Sequence, residues 1–360
     1  MSKVVFIFGA GASKQAGTPL MLEFLDVARG VLESGKVSDA AESFQAIFGG
    51  MSVLQQVHSK SQLDIQNVES VFAAYEMAKT IHRFGSYNDE QIDDLLTAMR
   101  AVIVKTVEQT LMLPVRTQHA YPPVPYEDFG KLVQFLVQEA MPRQTVSIIT
   151  FNYDVAVDYA LHHQSTQVQY ALGTDTEAGI PVLKLHGSLN WARCTKCSAI
   201  VPWKLDQYLQ RHTWNLRVNT HLRQVKLLIG SRIRDFEHCG QKVEPQPVIV
   251  PPTWGKLEHH RVLSRVWSRA AKELSEAEHI FIIGYSLPLS DSFFRYLYAL
   301  GTVGQAILQR FWVFNPDTTG EVEARFRQLL GPGATQRFQY FPKTFENSIS
   351  IIKTAFTTAA

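Results

Sequence analysis

Three short stretches of this chain hold residue types that can do chemistry: Gly9-Ala10-Gly11-Ala12-Ser13, Asn152-Tyr153-Asp154 and His186-Gly187-Ser188. Each directly follows a short apolar run. A glycine pair after such a run lets backbone approach a phosphate closely. A helix beginning there would aim N–H groups and the positive end of its dipole at the anion; the same glycines also suit a plain tight turn. His186 carries the side chain that titrates near neutrality without help, which makes it a candidate general base. Because it follows Leu185 in an apolar run, it can equally be a core histidine bonded to a backbone carbonyl. Asn152 and Asp154 stand two residues apart, so in extended chain they face the same side. Asp154 is also well placed to cap the helix that follows. A carboxamide beside an imidazole suits a substrate rich in hydroxyls, such as a ribose, and could hold a water against a developing cationic carbon. The residues point to chemistry on a nucleotide sugar.

The elements that must position them are legible as apolar, β-branched runs at residues 4–8, 146–150, 182–185, 248–250, 279–283 and 311–314. Helical stretches separate them, which predicts an α/β fold with a doubly wound, parallel, Rossmann-like sheet. In such sheets ligands lie beyond the carboxyl ends of the strands. Those ends carry Gly9 to Ser13, Asn152 and Asp154, His186, Gly284 and Ser286, and Asn315. One cleft is therefore expected, with a phosphate cradle on one side and an Asn/His pair on the other.

Two segments interrupt this alternation. Residues 20–140 show helical periodicity and read as a helical insertion after the first strand, with Ile65, Val68, Phe72 and Tyr75 on one buried face. Gly49-Gly50 and the stretch around residues 85–89 read as connections, and Pro122, Pro123 and Pro125 as a break. Residues 192–245 form a polar, irregular module that holds all three cysteines. Cys194 and Cys197 have the spacing of half a zinc site. Cys239 supplies a third thiol, and His238 or Asp235 could complete the set; a metal-free module held by packing is the alternative. Phe236 stands where a fourth cysteine would fall.

The 360 residues are 46% hydrophobic and 19% charged, ordinary values for a chain with a large core. A formal net charge of +2 gives no general pull toward nucleic acid or a membrane surface. Arg265, Arg269 and Lys272 form a basic helical face that reads as solvated, and His162-His163 and His259-His260 read as helix-surface residues. No apolar run approaches the length of a membrane span. The odd cysteine count and the immediate entry into a strand lead us to expect a cytoplasmic protein.

Taken together and in order, these motifs resemble the sirtuins: Gly9-Ala10-Gly11-Ala12-Ser13 with Ala16-Gly17-Thr18-Pro19, Thr150-Phe151-Asn152-Tyr153-Asp154, Leu185-His186-Gly187-Ser188, Gly284-Tyr285-Ser286-Leu287 and Phe314-Asn315. The resemblance spans the strand framework, so that residues 1–360 would form one catalytic domain carrying both insertions. It implies that Gly9, Ala10, Gly11, Ala12 and Ser13, with Thr18 and Pro19, hold the pyrophosphate of NAD. Asn152 and Asp154 would flank the nicotinamide ribose, His186 would be the base, and Gly284, Ser286 and Asn315 would line the adenosine side. Cys194, Cys197 and Cys239 would belong to a structural zinc module. The chain departs from sirtuin deacylases where Leu20-Met21-Leu22 replaces Asp-Phe-Arg, and where Val248 to Thr253 replaces the loop that pairs with acyl-lysine peptide. The helical insertion, Tyr153 and the Gly-Tyr-Ser-Leu-Pro-Leu-Ser-Asp run resemble sirtuin-like NAD hydrolases of bacterial anti-phage defence. That likeness implies an NADase whose partner acts in trans, by analogy a HerA-type ATPase or an Argonaute-like protein, and a homo-oligomer. Deacylation, and non-catalytic binding of NAD or ADP-ribose, are the rival functions.

Overall fold

The computed structural model describes residues 2–57, 63–173, 178–214, 216, 221–250, 256–288, 291–304 and 306–357, with backbone alone at 57 and 256–262. Its centre is a seven-stranded parallel sheet built from β1 (Ser2–Phe8), β2 (Gln144–Thr150), β3 (Val168–Gln169), β4 (Ile180–Lys184), β5 (His279–Ile283), β6 (Arg310–Phe314) and β7 (Phe338–Phe341). Their order across the sheet is β7-β6-β5-β1-β2-β4-β3. β1 and β5 are buried along their apolar runs, as strands covered on both faces must be. The chain builds from β1 toward β3, then returns to place β5 on the other side of β1. That reversal is the switch point beyond whose strand ends ligands lie in open parallel sheets.

Register sets the height of every strand end. Phe8 lies opposite both Thr150 and Ile283, Thr150 opposite Lys184, and Ile283 opposite Phe314. Gly9, Phe151, Leu185, Gly284 and Asn315 therefore leave the sheet at one level. The predicted run at 248–250 does not join this sheet. It pairs with the turn after β4, through an antiparallel bridge between Gly187 and Ile249. The edge strands β3 and β7 were not anticipated.

The helices are α1 (Ala10–Lys14), α2 (Phe24–Glu33), α3 (Ala41–Val57), α4 (Val68–Thr80), α5 (Asp89–Thr110), α6 (Val124–Gln134), α7 (Ala156–His163), α8 (Leu205–Arg211), α9 (Lys256–Ser275), α10 (Ser292–Gly301), α11 (Glu321–Leu329), α12 (Pro332–Thr335) and α13 (Phe345–Thr357). Phe6 and Phe8 meet Phe129 of α6 at ring distances of 5.0 and 4.9 Å, and Phe8 meets Phe345 of α13 at 5.2 Å. α6 thus belongs to the sheet's core, although the sequence places it at the end of the helical insertion. The prolines expected to break the chain instead start this helix: Pro125 stands in its first turn, where a missing N–H costs nothing.

A second core joins the helices α3 to α5 to the cysteine-bearing segment. Phe44, Phe72, Tyr75, Met99 and Ile103 of α3 to α5 pack in one cluster with Trp203, Tyr208, Ile229 and Ile233 of the cysteine module. Glu108 of α5 fastens them together, accepting from the backbone N–H groups of Gly230 and Ser231 at 2.7 and 3.0 Å. Gly49-Gly50, expected as a connection, lies inside α3. A Cβ on Gly50 would sit 2.6 Å from the Tyr75 hydroxyl, so glycine there permits close helix packing.

Candidate functional site

At the sheet's carboxyl edge the backbone ladder continues one residue past the strands. Gly9 N–H donates to Ile283 O at 3.1 Å, Gly11 N–H to Gly284 O at 2.8 Å and Gly284 N–H to Phe314 O at 2.9 Å. The first and fifth strand loops are thereby pressed together. A Cβ on Gly9 would fall 2.6 Å from the Tyr285 Cα, and one on Gly11 2.7 Å from Gly284 O. Gly284 itself has φ +64°, in the region that favours glycine. The glycines of the motif therefore have a packing reason as well as the phosphate reason drawn from sequence. Ala10 and Gly11 stay partly exposed at the head of α1, while Ala12 and Ser13 are buried.

Ser13 is where the site's side chains meet. Its Oγ lies 2.7 Å from Asp154 Oδ2, 3.0 Å from Asn152 Nδ2 and 2.6 Å from the Tyr126 hydroxyl. Asn152 Nδ2 also donates to Gly9 O at 3.0 Å. Asp154 stands one position ahead of Val155, the N-cap of α7, and accepts from Ala156 N–H at 2.9 Å, so this bond and the Ser13 contact use separate oxygens. Burial pushes the Asp154 carboxyl up from its ordinary value, against the opposing pull of the Lys184 ammonium. Thr18 folds back with both its N–H and its hydroxyl on Ser13 O, and Pro19 beside it is buried.

His186 is 4% exposed, its ring 5.2 Å from Phe151, edge to face, and 6.3 Å from Tyr153. Its carbonyl accepts from Val250 N–H at 2.9 Å, and Ser188 N–H donates to Val248 O at 3.0 Å. Segment 248–250 thus covers the turn that carries His186. Gly187 makes the approach possible: its φ is +86°, and a Cβ there would meet Val248 O at 2.1 Å. Pro251, Pro252 and Thr253, and Leu289 and Ser290 of the run after β5, lie outside the described residues. Phe151 stacks on Tyr285 at 4.4 Å, continuing the aromatic wall toward Gly284 and Ser286. Asn315 is almost buried and donates to Tyr285 O at 3.4 Å.

Behind the site runs a buried polar chain that no pattern in the sequence announces. Lys184 and Asp158, both fully buried, pair at 2.8 Å. Lys184 also donates to Asp154 O at 2.5 Å, and Tyr170 donates to Asp158 at 2.5 Å. Asn190 joins Tyr170 at 3.1 Å and accepts from Ser188 at 2.7 Å. The Asn152–Asp154 segment and the His186–Ser188 turn are thus tied to one another by side chains.

The cysteine module gathers Cys194, Cys197, His238 and Cys239, with their ligand atoms all within 4.8 Å of one another. Cys239 lies 3.9 Å from Cys197 and 3.2 Å from His238 Nδ1, which is 3.7 Å from Cys197. Bonds of about 2.0–2.3 Å to a tetrahedral zinc place ligands roughly 3.5–3.8 Å apart, so the set fits that ion. Adjacent His238 and Cys239 can both turn inward because Cys239 has φ +55° and Gly240 +74°. Backbone N–H donation from Cys197, then the His238 contact, lowers the Cys194 thiol to about 6. Asp235 is exposed and outside the group, and Phe236, at the position a four-cysteine site would give to its last thiolate, stacks on Trp203 at 5.4 Å. His163 packs against Tyr121, and the side chains of His259 and His260 lie outside the described residues. The basic face on α9 is partly neutralised, since Arg269 pairs with Glu273 at 2.5 Å.

Fold and site define a doubly wound α/β protein with a cluster of polar side chains at the reversal point of its parallel sheet. No protein-family model and no curated protein matches the sequence. Among solved structures the chain is similar to a Sir2 homologue in complex with NAD, at 15% identity, a TM-score of 0.45, and 99% of this chain against 90% of that one. It is similar also to a Sir2 homologue with ADP-ribose (14%, 0.45, 99% and 92%) and to Sir2Tm bound to a propionylated peptide (13%, 0.38, 98% and 92%).

Proposed function

We propose that the protein hydrolyses NAD to nicotinamide and ADP-ribose. The observation that carries the reading is the convergence of Asn152 and Asp154 on Ser13 of the glycine loop, at the same strand-end level as His186. The bond from ribose C1′ to the nicotinamide nitrogen breaks and its electron pair leaves with nicotinamide. Water adds to C1′, and its proton passes to a base. His186 is assigned the base, acting on that water or a ribose hydroxyl. Both amide hydrogens of Asn152 are engaged by Gly9 O and Ser13 Oγ, which leaves Oδ1 as its acceptor for the water or hydroxyl. Asp154 holds Ser13 in place. Gly9 to Ser13, with Thr18 and Pro19 beneath them, are assigned the pyrophosphate; Gly284, Ser286 and Asn315 are assigned the adenosine side.

Deacylation is the weaker reading. A peptide substrate would add as a strand beside a loop such as 248–250, yet the N–H groups of Val248 and Val250 and the carbonyl of Val248 already pair with Trp191, His186 and Ser188. Zinc held by Cys194, Cys197, His238 and Cys239 would brace the module, with no open position for catalysis. We assign residues 1–360 to one catalytic domain with insertions at 192–245 and at 20–140, the latter returning α6 to the core of the sheet. Exposed Tyr296, Leu300, Val303 and Ile307, on α10 and just beyond it, support assembly of copies or docking of a partner. An effector that depletes NAD when a partner triggers it, in the cytoplasm, is the setting this proposal favours. No described helix is long and apolar enough to cross a membrane. The test is nicotinamide release from NAD by the purified chain, with and without acetyl-lysine peptide. Release that requires the peptide would favour the deacylase; bound NAD that is never cleaved would favour a binding module.

A further inference from the structure

We propose that Tyr126, on α6, is a positioning residue that fixes the Ser13 hydroxyl and, through it, the amide of Asn152. For its kinetic readout this inference rests on the hydrolase reading above. Tyr126 is 1% exposed, and its hydroxyl lies 2.6 Å from Ser13 Oγ. The direction of each hydrogen bond follows from counting protons. Ser13 has one, and it goes to the Asp154 carboxylate at 2.7 Å, an acceptor only. Its two lone pairs then accept from Asn152 Nδ2 at 3.0 Å and from the Tyr126 O–H. The hydroxyl is saturated, and the place Tyr126 occupies calls for a donor.

Asn152 depends on this saturation. With one amide hydrogen on Gly9 O at 3.0 Å and the other on a fixed Ser13, the carboxamide cannot exchange its nitrogen and oxygen. Burial keeps the phenol protonated, and the Asp154 charge acts in the same direction. The Tyr126 ring is held independently of its oxygen, edge-on to Phe8 at 6.1 Å and to Phe345 at 5.1 Å. Tyr126→Phe therefore removes the donor and keeps the packing. Ser13 Oγ is left with an unmatched lone pair in a buried setting, free to turn, and Asn152 loses its fixed partner.

The experiment compares wild type, Tyr126→Phe, Ser13→Ala and the double variant in NAD hydrolysis, alongside a crystal structure of Tyr126→Phe. Expected is a kcat about tenfold lower for Tyr126→Phe with KM within about twofold, the signature of lost alignment rather than lost binding. The melting temperature should fall by no more than about 4 °C. In the Ser13→Ala background the same substitution should cost clearly less in kcat than it does in the wild type, because most of its effect passes through Ser13 and only its direct contact with Asn152 remains. The crystal structure should show the Ser13 side chain in a different rotamer. Unchanged kcat, an equal loss in the Ser13→Ala background, or Ser13 and Asn152 in unaltered positions would overturn the proposal. If the wild-type chain releases no nicotinamide, the hydrolase reading fails, and the side-chain positions alone decide the role of Tyr126.

Discussion

Lys184→Met should be among the most destabilising single changes in the chain. Lys184 and Asp158 are both fully buried and 2.8 Å apart, so the substitution leaves a carboxylate in the core without its counter-charge. Removing one partner of a buried pair costs about 3–5 kcal/mol, most of it the penalty of the stranded charge. Unfolding entropy of about 2.1 cal/mol/K per residue gives roughly 0.8 kcal/mol/K for 360 residues. The melting temperature should therefore fall by about 4–7 °C by scanning calorimetry. Replacing both partners, Lys184→Met with Asp158→Leu, should recover more than half of that loss, because no unpaired charge remains. Activity should also fall, since Lys184 holds the Asp154 carbonyl at 2.5 Å. A drop under about 1 °C for Lys184→Met, or a double variant as unstable as the two single losses added, would refute the claim that the charge is buried and paired.

His279, at the foot of β5 and 3% exposed, is pushed down to about 4 by burial, with Arg310 adding to the effect. Its ordinary unfolded value is about 6.5, so between those limits the unfolded chain binds more protons. Stability should be full above pH 6.5 and lost as pH falls toward 4, by at most about 3 kcal/mol. Urea titrations at pH 7 and pH 5 should show a smaller difference for His279→Gln than for wild type; equal differences would count against it. Metal analysis of the purified chain should find one zinc per molecule. Cys239→Ser should lower that ratio and make segment 192–245 more sensitive to protease, whereas an unchanged ratio would remove Cys239 from the ligand set.

The sheet was legible because buried parallel strands leave near-continuous apolar runs, and β1, β2, β4, β5 and β6 all announce themselves so. The two-residue strand β3 carries too little pattern, and β7 at the edge mixes Gln339 among aromatics. Residues 248–250 have the composition of a strand but spend their hydrogen bonds on the His186 turn, a choice made by tertiary contact. Gly50 and Pro125 were misread for one reason: each residue type favours a break, yet a close helix contact and a first-turn position accommodate them. At the site, the strand-end rule placed Gly9 to Ser13, Asn152, Asp154 and His186 along one edge of the sheet. It could not supply Tyr126, which reaches Ser13 from 113 positions away along the chain. Nor could it supply the Lys184–Asp158 pair, since nothing in an apolar run marks a lysine that will be buried with a partner. His238 was visible beside Cys239, but only the backbone turn at Cys239 and Gly240 shows how both reach one point.

The most direct test of the central claim is nicotinamide and ADP-ribose production from NAD, measured for the wild type, His186→Ala and Asn152→Ala without any acylated peptide. Equal amounts of both products are expected from the wild type, with losses of at least about a hundredfold in either variant. Cleavage that persists in both variants would contradict it, as would cleavage that appears only with an acylated peptide.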